Sequence, residues 1–253
     1  MHKQIIRILS CFIPSKKRRK IFRDKYSNAP LKMILKNKNI VNKGKNNKFI
    51  LHLPNGRIVK NPIIPGLKVI FLGSDNICEL YAPLPKFINC EIQMTSQAHF
   101  ILHESPYTLK NFIIWRMREK TKVEIGKNFS CVGVEIALLG EKNLKVKIGD
   151  ECMFSHDVFI QPTDSHSIID NKTKKPINFG KSITIGNHVW LCPHVHIHKG
   201  VTIPNDCVIG TCSVVTKPIE KSNCVAVGMP AKIIKEDITW ARSSAPDYLI
   251  RGY

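Results

Sequence analysis

The chain has 253 residues, 43% of them hydrophobic and 23% charged, a balance that supports a real core and excludes wholesale disorder or collagen-like architecture. No apolar run approaches the ~18 to 20 residues needed to cross a bilayer as a helix. The formal net charge is +20, and it is unevenly placed: residues 1–60 hold 17 Lys and Arg against the single acid Asp24, whereas the remainder has 22 bases against 18 acids. Such a block attracts a polyanion or an anionic membrane surface, at about 1 kcal/mol for each basic residue close to a charged bilayer.

In chain order, residues 1–26 read as a short basic amphipathic pair of helices broken at Pro14, with Ile5, Ile8, Leu9 and Phe12 on one face. Two readings stand side by side, a peripheral membrane anchor and a solvated arm packed on the domain. Lys3 and Arg7 interrupt the apolar stretch and a basic run at residues 16–20 ends it, so no secretion signal is read. Nine cysteines with no CxxC pair favour buried thiols in a reducing cytoplasm over a disulfide framework. Residues 36–48 are mostly Lys, Asn and Gly and read as a linker, which makes residues 1–60 a basic N-terminal extension. Strands are expected near residues 49–53 and again at 67–72.

The informative pattern starts at Ile185. Aliphatic residues recur every six positions at Ile185, Leu191, Ile197, Ile203, Ile209 and Val215, and four positions after each of the first five stands a small or β-branched residue: Val189, Val195, Val201, Cys207 and Ser213. A period of six is neither the 3.6 of a helix nor the 2 of a simple strand; it calls for short strands and tight turns wound into a solenoid with a stacked interior. Gly186, Gly200 and Gly210 fall near the expected corners, where positive φ is useful. The same spacing recurs upstream at Ile148, Phe154 and Ile160, with Cys152 and Val158 as inner partners, and more loosely at Ile125, Cys131 and Ala137. Between residues 165 and 182 the period fails, so a polar, lysine-rich loop leaves the stack; a loop that interrupts a regular repeat is the first place to look for function.

The segments IGDECMFSHDVFIQPTDSHSIID, INFGKSITIGNHVWL, KGVTIPNDCVIG and NCVAVGMPAKIIKEDITWARS resemble the hexapeptide-repeat acyltransferases, and among them the bacterial capsule and polysialic acid O-acetyltransferases. The resemblance covers residues 146–243. It implies an all-β, left-handed parallel β-helix (residues 61–228, with the loop at 165–182), a helical tail over residues 229–253, and a homotrimer with sites between subunits. It also implies acetyl-CoA as the donor, a sugar or anionic polysaccharide as the acceptor, and a cytoplasmic enzyme, peripheral at the membrane if the basic N-terminus docks there.

His166 matches the family's catalytic histidine, and an imidazole suits a base that takes a proton from an attacking hydroxyl near neutral pH. Asp164 or Asp157 is a candidate to orient its ring. Trp190 matches a functional tryptophan, a flat apolar wall for the acceptor or the thioester. On the donor side the resemblance implies Trp190, Cys192, Gly210, Ser213, Thr216, Lys217, Gly228, Pro230 and Lys232, with Lys217 and Lys232 as phosphate partners. Cys192 stands where relatives place Gly, and Thr216 where close relatives place an aromatic residue. Direct transfer needs no cysteine nucleophile.

The histidines His188, His194, His196 and His198 do not converge within one coil, since the register puts His188 and His194 on different faces, His196 at a corner and His198 at the start of the next face; no metal is expected. The sequence has no nucleotide-binding glycine motif and no aromatic-interleaved basic platform for nucleic acid. Two other readings remain open: N-acetylation of a nucleotide-linked amino sugar, and a solenoid scaffold without catalysis.

Overall fold

The computed structural model describes residues 39–251. The chain winds as a three-sided prism whose faces are three eight-stranded sheets, with each winding between the two ends giving one strand to each. Sheet A runs from Ile40–Asn42 through Val158–Gln161 and His196–His198 to Val214–Val215. Sheet B runs from Lys48–His52 to Thr202–Ile203, and sheet C from Lys86–Ile88 through Trp190–Leu191 to Val225–Gly228. Neighbouring windings pair in parallel, and among the described strands the antiparallel pairs are the two end hairpins, Lys48–His52 with Ile58–Lys60 and Val225–Gly228 with Ala231–Lys235.

The six-residue register is the interior of this prism. Ile185, Leu191, Ile197, Ile203, Ile209 and Val215 are all buried, as are Val189, Val195, Val201, Cys207 and Ser213. Ile148, Ile185 and Ile203 form one vertical column, Phe154, Leu191 and Ile209 a second, and Ile160, Ile197 and Val215 a third. Each side chain therefore lies on its equivalent in the next winding, which is how a solenoid buries a face that one repeat alone leaves wet. Lower in the prism the column is aromatic: Phe129 meets Phe112 and Phe154 edge to face, at 6.2 and 5.0 Å between centroids.

Several expectations need correction. The prism already includes residues ahead of 61, because Ile40–Asn42 pairs with Leu67–Phe71 and Lys48–His52 with Ile77–Tyr81. Residues 43–47, within the text read as a linker, form a solenoid corner: Asn47 Oδ1 accepts the side-chain N–H of the buried Asn76, which in turn donates to the Thr95 carbonyl. At the third position of the 125–137 series, Ile136 and not Ala137 stands in register with Ile160, because the corner before it is shorter. The tail is mainly the hairpin strand Ala231–Lys235 and an extended strap; helix covers only Ala245–Arg251, started by Ser244, whose hydroxyl accepts from the Asp247 N–H.

Among Gly186, Gly200 and Gly210 only Gly200 has positive φ. The left-handed corners are taken by His188, His194, Asp206 and Cys212 instead. Gly186 serves a different need: a Cβ there would sit 2.5 Å from Asn205 Oδ1 in the next winding, so close stacking, not φ, requires the glycine. His194 is thus the corner residue, and His196 and His198 lie together in one strand. Residues 1–26, with both readings of their amphipathic pattern, fall outside the described residues.

Candidate functional site

The regular winding breaks after Val158–Gln161, where residues 162–182 leave the corner between sheets A and B before Ile183–Ile185 resumes the stack. His166 stands at the base of this excursion. Its backbone N–H donates to the Asp164 carbonyl at 2.7 Å across Ser165, whose φ is +65°. This is a tight three-residue γ-turn in its strained, positive-φ form, and it leaves the imidazole exposed.

A polar network holds the turn. Glu141, on the preceding winding, accepts from the Thr163 hydroxyl at 3.0 Å and the Gly180 N–H at 2.7 Å with one carboxylate oxygen, tying the two ends of the loop together. The Thr163 hydroxyl oxygen also accepts from the Ser165 N–H at 3.1 Å. Asn178 Nδ2 donates to the His166 carbonyl and to Asp164 Oδ2, both at 2.8 Å, and its Oδ1 accepts from the Ile168 N–H. Lys199, from the next winding, pairs with Asp164 and donates to the Asn178 carbonyl at 3.0 Å. The Lys199 ammonium holds the Asp164 carboxyl below its usual range.

The expected orienting role of the acids is therefore corrected. Asp164 engages Lys199 and Asn178, and Asp157 faces His156 and His194; neither carboxylate bonds the His166 ring. Glu141, Asn178 and Lys199 were missed in the sequence because they are far apart along it and belong to no motif. The only signal was the position of Glu141 and Lys199 one winding either side of the break.

The recess beside His166 is about 160 Å³ and includes Gly140, Glu141, Pro176 and Phe179. A Cβ on Gly140 would come within 3.1 Å of Ser165 Cα, and its φ is +96°, so this position needs glycine for both space and conformation. Ile168, Ile169, Ile177 and Phe179 leave the loop surface apolar and exposed.

Trp190 lies elsewhere, on sheet C between Met153 and Val208. The strap over residues 236–244 folds across this sheet. Trp240 stacks on His188 at 4.3 Å, donates its indole N–H to the His188 carbonyl, and tilts against Trp190 at 5.9 Å. Arg242 anchors the strap by donating to Ser130 Oγ and to the carbonyls of Asn128, Glu151 and Cys152, with its guanidinium over the Tyr107 ring. Under this cover Trp190 Nε1 is buried with no hydrogen-bond partner, a state that costs about 1–3 kcal/mol. The sequence offered no sign that Trp190 would be packed by the chain's own Trp240.

The remaining residues gather at the C-terminal end. Ser213 is buried and its hydroxyl accepts from the Gly228 N–H at 3.0 Å. Thr216, Lys217, Gly228, Pro230 and Lys232 are exposed, and Gly210 packs against the Val227 side chain. Cys192 is buried, which pushes its thiol up and away from a thiolate. Among the described residues no hydrogen bond, ion pair or ring contact joins this group, or Trp190, to the His166 side chain.

The bacterial transferase hexapeptide (six repeats) family matches residues 182–217. The chain is 40% identical over 129 residues to a polysialic acid O-acetyltransferase of Escherichia coli O1:K1 / APEC, covering 51% of this chain and 41% of that protein. It is 48% identical over 98 residues to a polysialic acid O-acetyltransferase of Neisseria meningitidis, covering 39% and 46%; the chain thus spans less than half the length of these curated relatives. The crystal structure of the polySia-specific acetyltransferase NeuO superposes with a TM-score of 0.65 at 28% identity, over 81% of this chain and 89% of that one. In its left-handed parallel β-helix and its repeat-breaking loop the chain is thus similar to the hexapeptide-repeat transferases, whose repeat it carries over residues 182–217.

Proposed function

We propose that the protein transfers acetyl from acetyl-CoA to a hydroxyl of a bacterial surface polysaccharide, an anionic and sialic-acid-containing one by likeness to its relatives. The observation that carries this reading is the held γ-turn that presents the His166 imidazole to solvent beside a recess, at the place where the repeat breaks. One nitrogen of His166 takes the proton of the acceptor hydroxyl as its oxygen attacks the thioester carbonyl. The new C–O bond forms, the C–S bond breaks, and the imidazolium returns the proton to the departing thiolate.

Glu141, Asn178 and Lys199 act as positioning residues, fixing the turn that carries the base. Trp190, backed by Trp240, is read as the flat apolar wall of the acceptor or thioester pocket. Gly210, Ser213, Thr216, Lys217, Gly228, Pro230 and Lys232 form the donor end, with the two lysines for phosphates. Because His166 and these residues are apart in one chain, the reading includes a homotrimer in which neighbouring subunits complete each site. Burial of the Cys192 thiol favours direct transfer over an acyl-enzyme. The basic residues 1–60 would hold the anionic polymer or keep the enzyme at the inner face of the cytoplasmic membrane; no helix among the described residues is long and apolar enough to cross one.

The test is thiol release from acetyl-CoA with a panel of anionic capsule polymers, their monosaccharides and amino-sugar nucleotides. Polymer-dependent release that falls roughly 10²- to 10⁴-fold in His166→Ala is the expected result. Release with amino-sugar nucleotides alone would replace the reading with N-acetylation, and release unchanged in His166→Ala would remove the histidine from the mechanism.

A further inference from the structure

A second constellation stands away from the loop, at the corner where sheet C turns into sheet A. His156 and Asp157 precede the strand Val158–Gln161, and His194 precedes His196–His198 one winding later. The pairing of Phe159 with His196 brings Asp157 level with His194, and the His194 N–H donates to the His156 carbonyl at 3.1 Å. Asp157 and His194 share the left-handed conformation, with φ of 56° and 59°. The side chains thus spring from stacked, equivalent corners of a rigid prism and not from a loop.

Their ligating atoms converge. His156 Nδ1 lies 2.9 Å and His194 Nδ1 3.6 Å from the same oxygen, Asp157 Oδ2, and each of the three residues offers a ligand atom within 4.8 Å of those of the other two. The two rings meet edge on, at 89° and 5.0 Å between centroids. Ligands about 2.0–2.1 Å from a tetrahedral ion sit about 3.3 Å apart, and the two nitrogen-to-oxygen separations bracket that value. As a plain ion pair the arrangement gains little: the three side chains are about half or more exposed, where such pairs are worth roughly 0–1 kcal/mol.

We propose that His156, Asp157 and His194 bind a divalent transition-metal ion, with zinc the best match to two imidazoles and one carboxylate. The fourth position faces solvent at the rim of a groove of about 710 Å³ that also takes in Glu135, Phe159 and His196. The bound ion ties consecutive windings together, since His156 and Asp157 come before the 162–182 excursion and His194 after it. This site is independent of the acetyl-transfer reading and of His166.

The test uses the full-length chain, stripped with chelator and exchanged into clean buffer, titrated with zinc chloride by calorimetry and followed by thermal unfolding. Binding of one equivalent is expected, raising Tm by roughly 5–10 °C at free zinc a hundredfold above its Kd; cobalt(II) should give the intense visible bands of a four-coordinate ion. His156→Ala and His194→Ala should each abolish both signals, and Asp157→Asn should weaken them. All three are exposed positions, where substitution leaves folding largely intact. His99→Ala, at a histidine held by Glu79 on sheet B, should leave both signals unchanged. No zinc-dependent shift, pale six-coordinate cobalt, or signals that persist in His156→Ala and His194→Ala would each overturn the proposal.

Discussion

The windings over residues 183–215 and the excursion over 162–182 are neighbours in sequence but are held by different physics. In the windings each inward side chain rests on its equivalent above and below, as Phe154, Leu191 and Ile209 do, so burial and backbone pairing repeat together. The excursion has one isolated bridge, between Ile169 and Pro176, and exposes its isoleucines and Phe179. Its shape comes from a few polar contacts contributed by the windings on either side, Glu141 below and Lys199 above. A repeat thus gives stability through many small equal terms, whereas the loop borrows rigidity from a handful of unequal ones. Residues in the first region can be exchanged for others of like volume; the polar residues that hold the second cannot.

Substitutions sharpen this contrast, the largest effect coming first. Phe154→Ala removes a ring from the aromatic column and should lower stability by about 3–5 kcal/mol, read as a drop in urea midpoint with no separate loop transition. Glu141→Ala leaves the Gly180 N–H and the Thr163 hydroxyl without their shared acceptor, at about 1–3 kcal/mol. It should speed amide exchange in residues 162–182 roughly tenfold or more while the strands of sheet A keep their protection. Equal protection loss in both regions would mean that the loop and the windings open as one unit.

The next effect is one of pH. The Asp164 carboxyl is held down first by its hydrogen bond to Lys199 and also by Asn178. A depressed folded value means that the pairing stabilises the loop above the ordinary carboxylate range, about 3.9, and is lost as pH falls through the lowered value. Loop exchange measured relative to sheet B should rise at that acid end, and Lys199→Met should remove most of the dependence. The smallest effect is Phe179→Ser, on an exposed ring, which should change stability by no more than about 0.5 kcal/mol in a thermal melt.

How much of this was legible in the sequence varies with the range of the interaction. The six-residue spacing from Ile185 to Val215 fixed the inner face, since alternation within a winding is local. It faded toward the N-terminus, where strands such as Leu67–Phe71 lengthen to five residues and corners are capped by asparagines such as Asn76; there the polar text looked like a linker. The strap was hidden for another reason: Trp240 and Arg242 find their partners at His188 and at Asn128, Ser130, Glu151 and Cys152, a match that no local pattern announces. His166 was reached by its place at the break in the repeat and by resemblance, whereas Glu141, Asn178 and Lys199 carry neither mark.

The sequence alone determined that there is a prism and which side chains fill it, because burial of one face per winding is written into a short period. Only the tertiary structure decided which windings lie against each other. Windings 18 residues apart, such as Ile185 and Ile203, are predictable neighbours, but the excursion pushes the partners Phe159 and His196 much farther apart along the chain. Stacking restores their contact, since backbone pairing between windings takes no account of the residues looped out. That restored register sets Lys199 on Asp164 at one corner and His194 beside His156 and Asp157 at another.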